Sequence, residues 1–275
     1  MSQCDSCSTS EGCDKDKESC MIENNPLNNV KKIIGVMSGK GGVGKSSIAV
    51  ILAKQLKQLG YSVGILDSDI TGPSVPRLLG LSKKKAGGTE QLIYPVETDD
   101  GIKVISLNLL MENEDDPVIW RGPMIAGVVK QFWTDVLWDD LDYLVIDMPP
   151  GTGDVALTVM QSIPINGIVM ISVPQDLVSM IVSKAVNMAR KLNINVLGVI
   201  ENMSYITCSD CGKKINLFNG ESTEKFLKKM DLNLLGELPM LDNISNMASS
   251  GDEKNKEDIQ KIFEPIVSKI INDIN

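Results

Sequence analysis

The chain has 275 residues, of which 43% are hydrophobic and 23% charged, and its formal net charge is −9. That length and apolar share suffice for one large α/β domain or two small ones around a buried core, and the acidic balance argues against a general nucleic-acid or anionic-membrane surface. Histidine is absent, which excludes mechanisms that need an imidazole base and metal sites of mixed Cys/His type; any metal has to be held by thiolates, carboxylates or a ligand brought by a partner.

In chain order, residues 1–29 read as a flexible, Cys-rich extension. Asp5, Glu11, Asp14, Asp16, Glu18 and Glu23 outnumber Lys15 and Lys17, no apolar h-region is present and arginine is missing. Neither a secretory nor a transit peptide fits that pattern, and no apolar run in the chain approaches the roughly 18 residues of a membrane span. A cytoplasmic protein with no membrane or nucleic-acid partner is the expectation. Cys4, Cys7, Cys13 and Cys20 place four thiolates on a segment too polar to fold alone, so metal-coupled ordering is the reading that suits it.

From Val30 the pattern changes. VKKIIGVM predicts a strand, Lys45 to about Leu59 a helix, and YSVGILD a second strand. SKKKAGG at 82–88 predicts a surface loop. Then follow IKVISLNL as strand, 124–137 as helix, DYLVIDM and GIVMISV as strands, 177–192 as helix and INVLGVI as strand. The strand candidates are apolar throughout rather than alternating, as parallel strands covered by helices on both faces are. A βαβ series of this kind predicts an α/β, doubly wound, mostly parallel sheet with helices on both faces, spanning residues 30–275 as one domain. At its end, residues 254–275 carry Ile259, Ile262, Phe263, Ile266, Val267, Ile270, Ile271 and Ile274 at helical spacing. The polar face of that helix balances lysines against acids, where a membrane-surface anchor is rich in Lys and Arg, so packing on the sheet is the expectation.

Between the first strand and first helix lies SGKGGVGKSS. Gly39, four residues, then Gly44-Lys45-Ser46 satisfies the phosphate-loop pattern in the strand–loop–helix context that pattern requires. Its glycines let backbone amides turn onto phosphate oxygens, and the helix N-terminus adds partial positive charge. Gly39, Lys40, Gly41, Gly42, Val43, Gly44, Lys45, Ser46 and Ser47 are therefore the candidate ATP-binding residues. Lys45 is placed on the β- and γ-phosphates and Ser46 on Mg²⁺. Two strand ends supply carboxylates: ILDSD with Asp67 and Asp69, and VIDMPPGTGD with Asp147. Asp147 suits the metal-holding role, Asp69 the positioning of the attacking water and Asp67 support of the metal shell. PPGTGD has the composition of a switch loop that follows the γ-phosphate. Farther on, Cys208 and Cys211 sit in ITCSDCGKK, a knuckle at 206–217. A thiolate metal site generally needs four ligands, and this one supplies two, so a two-fold dimer that joins two knuckles completes it. Residue spacing leaves zinc and an iron–sulfur cluster both open.

The lysine-doubled loop GKGGVGKSS resembles that of the MinD-like ATPases, a class that includes ParA and the nitrogenase iron protein. LDSDITGPSVPRLLG, WRGPM at 120–124, DYLVIDMPPGTGD, and ENMSY followed by Cys208-x-x-Cys211 narrow the resemblance to the Mrp family of iron–sulfur cluster carriers. The resemblance covers nearly all of residues 30–250. It implies an ATPase that works as a homodimer, with ATP at or near the interface and a bridging [4Fe–4S] cluster held by Cys208 and Cys211. It further implies clusters passed to apoproteins in concert with cluster-assembly proteins, Lys40 extended as a catalytic residue toward the partner's nucleotide, and Asn202 as the adenine reader. In the eukaryotic-type carriers an N-terminal cluster uses an upstream cysteine and then C-x2-C-x5-C. Cys4, Cys7 and Cys13 match the triplet; the upstream cysteine is missing and Cys20 lies downstream. The rival readings are a positioning ATPase of MinD or ParA type, which needs a basic tail or patch this chain lacks, and a zinc-binding regulatory P-loop protein.

Overall fold

The structure is a computed structural model. It describes residues 21–70, 72–113, 120, 122–177, 180–208, 210–216, 221–240 and 253–274. Cys4, Cys7, Cys13 and Cys20 lie outside the described residues.

One nine-stranded sheet runs through the molecule. Its strands are β1 (Asn29–Ser38), β2 (Val63–Asp67), β5 (Val96–Glu97), β6 (Lys103–Ile105), β7 (Asp140–Asp147), β8 (Gly167–Ser172), β9 (Val196–Thr207), β10 (Lys214–Asn216) and β11 (Leu234–Pro239). The short pair β3 (Gly87–Gly88) and β4 (Ile93–Tyr94) stands apart from it. Across the sheet the order is β10-β9-β8-β1-β7-β2-β6-β5, with β11 also on β9. All neighbours are parallel except the end pairs β5–β6 and β10–β9. The mostly parallel, doubly wound sheet expected from the sequence is thus the one found.

The continuous apolar strands follow from two cores. On β1, Ile34 and Val36 face one side while Ile33 and Met37 face the other; β7 divides Tyr143 and Val145 from Leu144 and Ile146 in the same way. The first side is covered by α1 (Lys45–Gln58), through Ile48, Leu52 and Leu56, and by α8 (Glu253–Ile274), through Phe263, Ile266, Val267 and Ile270. The second is covered by α3 (Gly122–Thr134), α4 (Asp154–Ser162) and α6 (Met180–Lys191), which bring Phe132, Trp133, Val159 and Val186. From Ile33 on in β1 and from Tyr143 on in β7, successive residues are therefore buried on both faces, and period-2 alternation is lost there. The remaining helices are α2 (Val75–Leu78), α5 (Pro174–Leu177) and α7 (Glu221–Met230).

The structure departs from the sequence-based expectation in four places. IKVISLNL is a strand only over Lys103–Ile105; Ser106 then leaves the sheet and Leu107–Leu109 form a 3-10 turn with both leucines buried. A short apolar run cannot distinguish a buried strand from a buried turn. The helix placed at 124–137 ends at Thr134, since Val136 instead bridges to Ile93 in extended backbone. The helix placed at 177–192 is found as α5 and α6. Within SKKKAGG, Gly87–Gly88 pair with Ile93–Tyr94, and Lys85 Nζ donates to the Asn108 and Met111 carbonyls. Of the C-terminal stripe, Phe263, Ile266, Val267, Ile270 and Ile274 are buried and Ile262 and Ile271 half-buried, on the side that α8 shares with α1 and β11 as expected, and no described helix is long and apolar enough to cross a membrane.

Candidate functional site

The parallel strands β1, β2, β7 and β9 all point their C-terminal ends to one edge, where ligands of open α/β sheets bind. The chain leaves β1 at Ser38 and enters α1 at Lys45, so Gly39–Gly44 form a loop on top of the sheet. Gly42 and Gly44 adopt φ of +80° and +83°, left-handed conformations that a side chain resists. Ser38 Oγ donates to the Lys40 carbonyl at 2.9 Å and closes the loop's first turn. The Gly151 amide, in the PPGTGD segment after β7, donates to the Ser38 carbonyl at 2.8 Å and ties that segment to the loop.

A cavity of about 520 Å³ opens between this loop and the segment after β2. Its wall takes Lys40, Gly41, Gly42, Gly44, Lys45, Ser46 and Ser47 from the expected set, together with Asp69. Beneath it lies a buried charge cluster. Lys45 Nζ contacts Asp147 Oδ1 at 2.5 Å and Asp69 Oδ2 at 3.7 Å, with the Lys45 side chain 6% exposed and that of Asp147 fully buried. The Asp69 amide donates to Asp67 Oδ1, and Ser106 Oγ donates to Asp67 Oδ2 at 3.0 Å. Burial first, then the neighbouring Asp147 charge, holds the Asp67 carboxyl well above the ordinary carboxylate range. Three carboxyl groups thus share one buried lysine.

Asp147 Oδ2 is buried and without a hydrogen-bond partner among the described residues. An orphaned carboxylate oxygen next to a second, crowded carboxyl is the environment a hard cation with oxygen ligands relieves. The Asp147, Asp67 and Ser46 donor set fits Mg²⁺ on that ground.

Gly39 and Val43 do not line the cavity. Gly39 is pressed against α6, where a Cβ would meet Val182 and Ile181 at 3.1 and 3.2 Å. Asn202 lies away from the cavity wall as well. It is fully buried in β9, and its Nδ2 donates to the Val43 carbonyl at 2.9 Å. In this geometry Asn202 braces the phosphate loop through Nδ2, while its Oδ1 is buried with no hydrogen-bond partner among the described residues.

Sequence reasoning missed Arg77, which reaches the same cavity from α2, and Ser106, which holds Asp67. Arg77 is one of only three arginines in the chain, and that rarity was the available signal. Ser106 had none, for it meets Asp67 only through the pairing of β2 with β6.

Cys208 follows β9, and β10 returns antiparallel with Lys214 opposite Thr207, so the knuckle is the tip of a hairpin at the same sheet edge. The Cys208 amide donates to the Lys213 carbonyl and the Gly212 amide to the Cys208 carbonyl, with Gly212 at φ +68° making the turn. Both cysteines are free, Cys208 half-buried and Cys211 exposed. The amide of Cys211, then that of Asp210, and then the Cys211 thiol lower the Cys208 thiol below its ordinary value, which favours the thiolate that binds metal. No group of three or more metal-ligating side chains assembles among the described residues.

The model of the ParA family described as NUBPL iron-transfer P-loop NTPase matches residues 29–274. An iron–sulfur cluster carrier protein of Clostridium perfringens is 51% identical over 256 residues, covering 90% of this chain and 89% of its own. A nucleotide-binding protein of Archaeoglobus fulgidus, solved in complex with ADP, superposes with a TM-score of 0.70 at 40% identity, over 80% of this chain and 86% of its own. The MinC:MinD cell division complex of Aquifex aeolicus aligns with a TM-score of 0.61 at 16% identity, over 88% of this chain and 96% of that one, a likeness of fold alone.

Proposed function

The chain belongs to the NUBPL iron-transfer P-loop NTPases of the ParA family, and from that premise we propose that it is an ATP-hydrolysing iron–sulfur cluster carrier that assembles [4Fe–4S] clusters and passes them to apoproteins. The observation that carries this reading is the coincidence, at one sheet edge, of a phosphate-loop cavity and a knuckle of two free thiols with no third ligand among the described residues. The cluster is cargo. Two thiolates per chain hold it only if a second copy brings two more, which supports a homodimer. Exposed apolar side chains near these features, Met180 at 70% and Ile181 at 46% beside the loop and Ile215 at 50% on the knuckle hairpin, suit the same arrangement.

In the ATPase, amides of the loop bind the phosphates and Lys45 leaves Asp147 to pair with them. Ser46, Asp147 and Asp67 would hold Mg²⁺, which would supply charge neutralisation for the phosphates. Asp69 orients the attacking water, and Lys40, at the cavity rim, extends to the partner's nucleotide. The fold of the positioning ATPases is shared, but a charge-balanced, buried C-terminal helix and the knuckle favour the carrier reading over theirs.

Anaerobic reconstitution with iron and sulfide tests the proposal. The expected product is a brown dimer with roughly one four-iron cluster per pair of knuckles, its knuckle-bound iron lost on Cys208→Ala or Cys211→Ala. A colourless protein that holds zinc, or iron content indifferent to both substitutions, overturns it.

A further inference from the structure

β9 carries both ends of a connection between the nucleotide loop and the thiols. Asn202 lies within it, and Cys208 is the first residue past its end. The Asn202 amide does more than fill space under the loop. Its Nδ2 donates to the Val43 carbonyl, and that carbonyl shares one rigid peptide plane with the Gly44 N–H. Holding the carbonyl inward therefore aims the Gly44 amide at the cavity that Gly44 lines. The fit is close, for a Cβ on Gly44 would lie 2.4 Å from that Nδ2.

The same stretch of β9 is distorted. Glu237 and Pro239 of β11, two residues apart, pair with Glu201 and Tyr205 of β9, four residues apart, so Asn202, Met203 and Ser204 form a bulge. Met203 has φ +55°, a left-handed conformation unfavourable for a side chain. Ser204 Oγ closes the bulge on Glu201 Oε2 at 2.9 Å. Asn202 Oδ1 is buried with no hydrogen-bond partner among the described residues. A strained backbone and an unsatisfied amide oxygen, adjacent in sequence, single out this bend between the loop and the thiols.

We propose that Asn202 is a positioning residue that couples the phosphate loop to the Cys208/Cys211 knuckle, with the Met203 bulge as the joint that transmits the change. An anion on the Gly44 amide polarises its peptide plane and strengthens the Val43 carbonyl as an acceptor. Asn202 is then drawn toward the loop, the bulge shifts, and the hairpin that begins at its end is reset. Linkage makes the effect mutual: whatever the knuckle holds alters the affinity for nucleotide by the same factor. This deepens the carrier reading, since it names how ATP reaches the cargo, and it rests on that reading only for what the thiols carry.

The test uses the full-length, metal-free, reduced chain and iodoacetamide, with alkylation of the knuckle peptide followed by mass spectrometry. Saturating Mg²⁺ and a non-hydrolysable ATP analogue are expected to change the rate at Cys208 and Cys211 by about fivefold or more, the low end of ordinary coupling between sites. In Asn202→Ala, at nucleotide concentrations raised to saturation, that ratio falls close to one. A wild-type ratio in the saturated variant overturns the proposal and leaves Asn202 as a base contact or a core amide. Should Asn202→Ala not fold, Met203→Gly decides, because glycine takes φ +55° without strain. Its slackened joint is expected to lose the ratio, and an unchanged ratio overturns the proposal. A chain that couples by this measure yet takes up no iron keeps the joint and loses the carrier reading. One that takes up iron but shows no nucleotide effect on its thiols does the reverse.

Discussion

Asp67 and Asp147 pair across adjacent strands, and both are completely buried. Two carboxyl groups so placed cannot both ionise cheaply with only Lys45 between them. The Asp67 carboxyl consequently keeps its proton to higher pH in the folded chain than in the unfolded one. Folding then takes up a proton as pH rises from the ordinary carboxylate range toward the raised value, and stability falls across that window. Asp67→Asn removes this dependence. Melting of the nucleotide-free variant by circular dichroism is expected to show a Tm above wild type by a few degrees at pH 8, with the gap closing toward pH 4. Mg²⁺-dependent nucleotide affinity falls in the same variant. Lys45 could be assigned from spacing because a phosphate loop is a local backbone device. Asn202 could not be given its bracing role in advance, since it meets Val43 from 159 positions away.

At the scale of elements, α8 shows how a pattern is resolved by what it packs against. Its apolar stripe alone suits a membrane surface or a sheet equally well, and only the charge balance of its other face favoured the sheet. In the structure Phe263, Ile266, Val267 and Ile270 are buried on the α1 side of the sheet. Lys32 Nζ donates to the Ile274 carbonyl and so holds the last turn against β1. Pro265 sits inside the helix but on its exposed face, where the carbonyl it deprives of a partner reaches water. Ile270→Ala empties a fully buried position and is expected to cost about 2–5 kcal/mol, lowering Tm by roughly 2–4 °C for each of them. Lys261→Ala on the exposed face should stay within about 0.5 kcal/mol. Scanning calorimetry of the two variants separates them.

For the whole molecule, the C-terminal edge of the sheet gathers the loop, the carboxyl cluster, the PPGTGD segment and the thiol hairpin. Lys40 stands exposed at the rim of the cavity, whereas Lys45 is buried beneath it, a division that suits one lysine for its own nucleotide and one for the partner's. Lys40→Ala is therefore expected to lower ATP turnover by up to about 10³-fold, the lower range of a charge supplied in trans, while nucleotide still binds. Lys45→Ala loses both. Mixing the two variants should recover a quarter to a half of wild-type turnover, since a mixed dimer holds one intact loop facing one intact Lys40. Absence of recovery in a mixture that forms dimers, measured by phosphate release, contradicts the cross-subunit role.

The sequence by itself determined the sheet class, the phosphate loop and the thiol pair, because each is written in neighbouring residues: uninterrupted apolar strands, a fixed glycine–lysine spacing, a C-x-x-C turn. The lack of histidine likewise excluded mixed Cys/His metal sites and left thiolates as the natural ligands beside Cys208 and Cys211. What only the tertiary structure decided is where distant residues act. Ser106 and Arg77 come to the site through the order of strands, and Asn202 becomes a brace beneath Gly44 because β9 passes under the loop. Side chains that meet across a sheet are chosen by packing and register, which leave no local trace in the order of residues.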